Sequence, residues 1–328
     1  MVALYVTSLE RGTGKTAVCA GIGKHLLAKG QKTGYFKPII AENLEAPDSD
    51  MAFIKHIFNL EEPIDTICPV ISGNSDLSGR IKEAYARVSL GKDVVIVECT
   101  YEPRVAEALQ ARLILVEGYS DKLSEAKTNS YKALGDNLLG VVLNKVPRSQ
   151  IGHVSSETSA QLDKAGINVL GVLPEDRALS TLTIGELAEY VQGEIINNAE
   201  QSTELAENFM LGAMVVDSGL DYFGRKTNKV AVLRSERSDM QLAAMETSTR
   251  CLILSGNTAP LPAVLARAEE KNIPIITAHG DTGTIVASIE DALDKATFSQ
   301  EKKVPKLTEI MEQHFNFPAL YKGLGLSN

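Results

Sequence analysis

Short apolar runs alternate with amphipathic stretches along the first half of the chain, and no other feature constrains the fold as strongly. The runs include "VVIV", "LILV" and "GVVLN", in which the apolar residues are consecutive. Consecutive apolar residues are typical of strands buried on both faces, and such strands alternate with helices in parallel sheets. The crossovers between them are right-handed. We therefore predict an α/β fold with a doubly wound, mostly parallel sheet.

The pattern predicts two α/β domains. Strands are predicted at residues 3–7, 32–36, 93–97, 113–117, 139–143 and 168–173, and helices at 15–28, 50–58, 76–89, 124–133, 156–165 and 184–191. A polar stretch then precedes a shorter pattern built on "KVAVLRS", "RCLILSG" and "IPIITA". We predict a first α/β domain at 1–195, a linker at 196–204, a smaller α/β domain at 205–300, and a helix and tail at 301–328.

Composition narrows the class of partner. The chain has 328 residues, 44% of them hydrophobic, and a net charge of −9, so it lacks the basic field on which nucleic-acid binding depends. The four cysteines (Cys19, Cys68, Cys99 and Cys251) have no metal-ligand spacing and are typical of reduced thiols. No signal peptide and no apolar run of about 20 residues is present. We expect a soluble cytoplasmic protein that binds neither nucleic acid nor membrane.

The segment "VTSLERGTGKT", residues 6–16, connects the first predicted strand to the first predicted helix. Gly12 and Gly14 permit positive φ, Lys15 carries a charge suited to phosphate, and Thr16 offers a hydroxyl to Mg²⁺. The alternative is a glycine-rich turn in which Thr13 caps an ordinary helix. The position between a buried strand and a helix favours a phosphate site.

The loop has an unusual length. The pattern G-x-x-x-x-G-K-[ST] needs a glycine where Leu9 stands, whereas five intervening residues place Ser8 at the opening. At that spacing the segment resembles the dethiobiotin synthetase branch of P-loop proteins, V-T-G-x-x-x-x-x-G-K-T, with Ser8 in place of the first glycine. The resemblance implies that ATP is held by Ser8, Glu10, Arg11, Gly12, Thr13, Gly14, Lys15 and Thr16. The loop K-G-G-x-G-K-[ST] of partitioning ATPases is not matched, so no lysine acting across a dimer is predicted.

Three further segments extend the resemblance. "GYFKPII" is similar to the family's G-x-x-K-P segment, which implies that Lys37 points at the transferred phosphate and acts with Lys15 in catalysis. Asp50 and Glu98 match family carboxylates, which implies an Mg²⁺ site with Thr16. A carboxylate that ends a buried strand, as Glu98 does, is costly to bury unless it is paired or metal-bound. Asp50 is alternatively a helix cap, a role that Asp48 or Ser49 fits equally.

Two later strand ends match positions where the family contacts adenine. These are Asn144 in "GVVLNKVP" and Pro174 in "GVLPED". Both residues are also common in turns, and that alternative stays open.

After Glu98 the sequence departs from dethiobiotin synthetase. "CTYEPR" stands where that family has Gly-Ala-Gly-Gly, so its own reaction is not assigned. "FKPI" and "GVLPEDRAL" are similar instead to the dethiobiotin-synthetase-like N-terminal domain of long phosphotransacetylases. A DRTGG domain follows it there, and "CLILSGNTAP" and "HGDTGTIVASI" fit that domain, while "SERSDMQLAA" replaces its usual Gly-Asp-Arg. The resemblance implies a stand-alone pair of domains without the phosphotransacetylase catalytic domain.

The second domain has few candidate functional residues. Cys251 lies within an apolar run and is predicted to be a core thiol. His279 and Asp281 follow a strand and are candidates for ligand contact, or Asp281 is a helix cap. Asp217, Asp221 and Arg225 are further candidates in "DSGLDYFGRK".

Two classes of function fit these features. The first is an ATPase or an ATP-dependent ligase or synthase that phosphorylates a small carboxylate or carbamate, with Lys15 and Lys37 stabilising the transition state. The second is a regulatory protein that senses a nucleotide and a metabolite and acts on a partner enzyme such as phosphotransacetylase. A further alternative, by resemblance to the same branch, is a ligase like cobyrinate a,c-diamide synthase that lacks its own glutaminase domain and uses ammonia from solution or from a partner. Residues 205–328 offer no glutaminase cysteine and histidine pair. The family resemblance also implies a homodimer.

Overall fold

The structure, a computed structural model, describes residues 1–40, 50–71, 76–212, 219–256 and 258–326. They form two compact units. The first comprises Met1–Asp176 and Phe298–Asn328, and the second comprises Arg177–Thr297.

The first unit contains a six-stranded parallel sheet in the order β2-β5-β1-β6-β7-β8. The two-residue strands β3 and β4 pair separately. The strands of this unit are β1 Val2–Thr7, β2 Thr33–Phe36, β3 Ile39–Ile40, β4 Val70–Ile71, β5 Val94–Glu98, β6 Arg112–Gly118, β7 Leu138–Val146 and β8 Val169–Pro174. The predicted parallel α/β fold is confirmed, and each of its six predicted strands forms within three residues of the predicted ends.

Helices connect these strands. They are α1 Lys15–Ala28, α2 Asp50–Ile57, α3 Ile64–Ile67, α4 Leu77–Ser89, α5 Pro103–Leu109, α6 Glu125–Lys132, α7 Ile151–His153 and α8 Ser159–Lys164. A π-helical segment, Val154–Thr158, joins α7 to α8, so this helix begins earlier than predicted. Side chains of β1 and β5 pack against α4 and α5, and those of β6 to β8 pack against α6 and α8. Because all six strands are parallel, their carboxyl ends meet at one edge, where ligands bind in such folds.

The second unit has a five-stranded sheet in the order β10-β15-β14-β13-β12. Strands β12 to β15 are parallel, and β10 is antiparallel to β15. Its strands are β9 Leu182–Thr183, β10 Gly193–Ile195, β11 Leu205–Ala206, β12 Asn208–Leu211, β13 Lys229–Arg234, β14 Thr249–Ser255 and β15 Ile275–Ala278. Its helices are α9 Ile184–Tyr190, α10 Gly219–Phe223, α11 Ser238–Met245, α12 Pro262–Glu270 and α13 Thr282–Asp294.

The chain then returns to the first unit through α14 Val304–His314 and α15 Phe317–Leu324. Helix α14 packs on α1 and β8, and the Asn316 amide donates to the Leu170 carbonyl at 2.7 Å. None of the helices in the described ranges has the length and apolarity needed to cross a membrane.

The units divide at a different point from the predicted boundary. We predicted that the first domain ends at 195 and that a linker follows, whereas the second unit begins at Arg177. Helix α9 begins with a capping box between Thr183 and Glu186, and its apolar side lies in the core of the second unit. The polar segment read as a linker is also structured, because the Asn197 and Asn198 side chains both donate to the Ile273 carbonyl.

Candidate functional site

The loop between β1 and α1 lies at the carboxyl edge of the first sheet. Gly12 has φ of 72° and Gly14 has φ of 87°, a region that favours glycine. Gly14 is the N-cap of α1 and offers no capping side chain. A Cβ on Gly14 would lie 2.3 Å from the Asn144 Nδ2 atom. The loop therefore needs glycine here both for its backbone conformation and for the close approach of β7.

Strand β7 holds two carbonyls of this loop. Its pairing with β8 is irregular near its end, and Lys145 has φ of 59°, as at a bulge that redirects side chains beside a functional site. Asn144 Nδ2 donates to the Thr13 carbonyl at 2.8 Å, and Lys145 Nζ donates to the Gly12 carbonyl at 2.8 Å. In a trans peptide the C=O and the following N–H point in opposite directions. The N–H groups of Thr13 and Gly14 are therefore turned away from β7, as donors to an anion.

Ser8, the residue in place of the family's first glycine, is fully buried. Its hydroxyl accepts a hydrogen bond from Lys15 Nζ at 2.8 Å and donates to the Glu10 carbonyl. Within the described part of the chain, the buried Thr13 hydroxyl has no hydrogen-bond partner. Buried polar groups normally have one, so an unpaired hydroxyl in a loop of this kind fits a ligand with oxygen atoms.

Two carboxylates, a hydroxyl and an ammonium group converge beside the loop. The Thr16 hydroxyl lies 2.7 Å from Glu98 Oε1 and 3.2 Å from Asp50 Oδ2. Lys37 Nζ lies 3.0 Å from Asp50 Oδ2 and 3.3 Å from Glu98 Oε1. All four lie at the start of a helix or at the carboxyl end of a strand, so the topology brings them to the same edge. The sequence-predicted set is thus assembled in one place.

Tyr35 and Cys19 complete the surroundings of Glu98, and sequence reasoning missed both. The Tyr35 hydroxyl donates to Glu98 Oε2. Burial and the Glu98 charge raise the pKa of the Tyr35 phenol and of the Cys19 thiol well above their usual ranges, so both stay neutral. Tyr35 was detectable, because it stands two residues before Lys37 and residues at that spacing in an extended chain share a side.

The oxygen atoms of Thr16, Asp50 and Glu98 fit a magnesium ion. Mg²⁺ prefers oxygen ligands and usually combines one or two carboxylates with waters and phosphates. No cluster of three or more His, Cys, Asp or Glu side chains suited to a metal occurs in the described ranges. A metal bound here would therefore use the Thr16 hydroxyl beside the two carboxylates.

The remaining predicted residues lie around this cluster. Glu10 and Arg11 are exposed on the loop, while Asn144 contacts the loop backbone. Pro174 is buried at the end of β8, on the far edge of the sheet from β2, and is not part of the cluster. Contact of Asn144 and Pro174 with an adenine base stays a prediction.

The described candidates in the second unit lie on different elements. Cys251 is fully buried in β14, and burial raises the pKa of its thiol. Asp281 caps α13 by accepting from the Thr284 amide at 2.8 Å, so the cap interpretation is confirmed. Arg225 stacks over the Tyr222 ring at 5.8 Å. Asp217, Asp48 and Ser49 lie outside the described residues.

Glu117 at the end of β6 was also missed. It is 4% exposed and pairs with Lys127 of α6. The signal was present, because "LILVE" ends in a glutamate as "VVIVE" does. A buried carboxylate at the end of an apolar strand needs a charged or hydrogen-bonding partner, and this holds for Glu117 as it does for Glu98.

Family models match two parts of the chain. The model for an AAA domain matches residues 2–78, and the model for the DRTGG domain matches residues 186–292. A phosphate acetyltransferase of Nitrosomonas europaea is 21% identical over 99% of this chain and 52% of its own length. One from Deinococcus radiodurans is 25% identical over 74% of this chain and 39% of its own length. The chain spans about half the length of these curated relatives or less.

Two solved structures are similar to parts of this chain at low overall similarity. The regulatory region of Clostridium perfringens pyrophosphatase is 19% identical, with 38% of this chain and 53% of that chain covered and a TM-score of 0.31. A chain of the MinC:MinD complex of Aquifex aeolicus is 16% identical, with 55% of this chain and 83% of that chain covered and a TM-score of 0.39. By the two family models, the chain carries a P-loop AAA domain followed by a DRTGG domain. Its similarity to phosphate acetyltransferases over most of its length is consistent with the N-terminal region of those proteins.

Proposed function

We propose that the first unit binds ATP with Mg²⁺ at the loop of residues 8–16 and cleaves its terminal phosphoanhydride bond. The observation that carries this proposal is the convergence of Lys15, Thr16, Lys37, Asp50 and Glu98 at one edge of the sheet. Two lysines and a row of backbone N–H groups suit a polyanion, and two carboxylates beside a hydroxyl suit its metal.

Each residue has a distinct role in this proposal. Lys15 binds the β- and γ-phosphate oxygens, exchanging its bond to Ser8 for bonds to phosphate. Thr16, Asp50 and Glu98 hold Mg²⁺, which when bound neutralises phosphate charge. Lys37, released from part of its ion pairing with the carboxylates, stabilises the charge that develops on the γ-phosphate. By resemblance to the dethiobiotin synthetase branch, the acceptor is a small carboxylate or carbamate.

A regulatory role is the second candidate, and the comparisons favour it. Phosphate acetyltransferases align with both units of this chain, yet they are matched over only about half of their length. On this alternative the first unit binds ATP and turns it over slowly, and a partner enzyme responds to the bound state. The pairing of two copies, which the family resemblance implies, is testable by the sedimentation of the protein with and without nucleotide.

Titration calorimetry with Mg–ATP tests the shared part of both candidates. Lys15→Ala should weaken binding about tenfold to a hundredfold, because a charged hydrogen bond contributes about 1.5–3 kcal/mol. The matched control is Lys29→Ala at the exposed C-cap of α1, which should bind as the wild type does. Unchanged affinity in Lys15→Ala would exclude the loop as the nucleotide site.

The release of ADP separates the two candidates. Release that is stimulated by one member of a panel of small carboxylates and lost in Lys37→Ala supports phosphoryl transfer. Tight binding with slow turnover that no carboxylate stimulates supports the regulatory role. In that case ATP should change the rate of a phosphate acetyltransferase from the same organism only when the wild-type chain is present.

A further inference from the structure

Two sets of polar contacts meet at Glu10, one from Lys15 to the Glu10 backbone and one from the Glu10 side chain to a buried carboxylate on a neighbouring strand. Lys15 Nζ donates to the Ser8 hydroxyl, and this hydroxyl donates to the Glu10 carbonyl. The Glu10 carboxylate in turn lies 3.5 Å from Lys127 Nζ. Lys127 also forms an ion pair with Glu117, whose side chain is 5% exposed.

The ion pair between Lys127 and Glu117 is fixed in place by the elements that carry it. Glu117 is the penultimate residue of β6, and its backbone is paired with Leu143 of β7. Lys127 lies in the first turn of α6, and its amide donates to the Ser124 hydroxyl, the cap of that helix. The bond to Glu117 raises the pKa of Lys127, so the ammonium group stays charged. A buried carboxylate and a capped helix thus hold one ammonium group beside the loop.

The other part of these contacts lies in the exposed portion of the loop between β1 and α1, around Glu10 and Gly12. Glu10 is 65% exposed, and Gly12 nearby has no side chain to anchor. Ser8 holds the Glu10 backbone, and Lys127 holds its side chain. Lys127 also offsets part of the negative charge of Glu10 and Glu117, which would otherwise repel a nucleotide phosphate more strongly.

We propose that Lys127 is a positioning residue for the phosphate loop, because it is anchored on Glu117 and holds Glu10 while offsetting part of their negative charge. The proposal rests on the proposed nucleotide site. It adds that the affinity of this site depends on a side chain from α6, which is distant from the loop in the sequence. An ion pair that is partly exposed contributes modestly, so the effect is graded rather than complete.

Titration of the full chain with Mg–ATP at low salt tests this role. Lys127→Met should weaken binding about threefold to tenfold, since it removes the positive charge that partly offsets Glu10 and Glu117 near the phosphates. Lys127→Arg should restore affinity to within about twofold of the wild type, as expected if charge at this point matters. The control is Lys132→Met, which removes an exposed lysine from the last turn of the same helix and should leave affinity unchanged.

A double variant separates positioning from a general loss of structure. Adding Glu10→Gln to Lys127→Met should recover part of the lost affinity, and the loss should shrink at high salt because the effect is electrostatic. Thermal melting confirms that each variant is folded. Wild-type affinity in folded Lys127→Met, or a loss that Glu10→Gln leaves unchanged, would overturn the proposal. If the wild-type chain itself does not bind Mg–ATP, the proposed function falls first, and this inference with it.

Discussion

Among single residues, Gly12 and Gly14 differ in what surrounds them although both have positive φ. A Cβ on Gly12 meets no atom within 4 Å, while one on Gly14 would lie 2.3 Å from Asn144 Nδ2. Gly12 is therefore needed for its backbone conformation alone. Gly14 is needed as well for the contact by which β7 holds the loop.

This difference predicts unequal effects of two alanine substitutions. Gly12→Ala should lower the free energy of unfolding by about 1–2 kcal/mol, the usual strain of a left-handed residue with a Cβ. Gly14→Ala should lower the free energy of unfolding by about 1 kcal/mol or more beyond that, because Asn144 must move and its hydrogen bond to the Thr13 carbonyl is lost. Urea denaturation measures both values, and calorimetry should show the larger loss of ATP affinity in Gly14→Ala. Equal losses in the two variants would contradict a role for Asn144 in holding the loop.

Site residues differ in whether the sequence could predict them. Lys15 and Thr16 were predicted from a loop between a buried strand and a helix, while Lys37, Asp50 and Glu98 were implied by the family resemblance. All five stand at strand ends or helix starts, which is why the topology brings them to one edge. The functions assigned to them stay predictions. The hold of Asn144 on the loop was not predictable, since it depends on an irregularity in strand pairing that one sequence does not reveal.

At the scale of elements, helix α1 connects the candidate site to the C-terminal segment. The His25 ring, in the last turn of α1, stacks on Phe317 of α15 with ring centroids 3.5 Å apart. A Cβ on Gly21 of α1 would lie 2.7 Å from Met311 Cγ of α14. The helix that begins at the phosphate loop is thus held at its other end by the returning chain.

The stacked His25 predicts a pH dependence of stability. Burial, with the nearby Lys29 charge, lowers the pKa of His25 below 6.5, its value in the unfolded chain. Near and below pH 6.5 the unfolded state therefore binds more protons than the folded state, so the free energy of unfolding rises with pH there. The contribution of His25 to stability is lost as pH falls below about 6.5. We expect the free energy of unfolding to fall more steeply between pH 7 and pH 5 in the wild type than in His25→Gln. Parallel curves for the two proteins would show that His25 does not titrate in this way.

For the whole molecule, the division into units is where prediction from sequence failed. The first unit is discontinuous, because its last helices follow the second unit in the chain. Composition locates polar stretches, and it placed a linker at 196–204. It cannot show that Asn197 and Asn198 bind the backbone of the second unit or that α14 returns to β8. Contacts between distant segments decide the boundary, and they leave no local signal.

The discontinuous unit predicts the effect of shortening the chain. Removal of 298–328 takes away α14 and α15 and exposes the apolar surface of α1 and β8 that they cover, including the contact of Gly171 with Phe315. Each buried apolar side chain contributes about 1.5–3 kcal/mol, so the first unit should lose several kcal/mol of stability and with it its affinity for Mg–ATP. Removal of 325–328 alone keeps both helices and serves as the matched control. Thermal melting should show the second unit, which is continuous and has its own core, unfolding at its former temperature in both shortened chains. A first unit that melts unchanged without 298–328 would contradict the assignment of these helices to its fold.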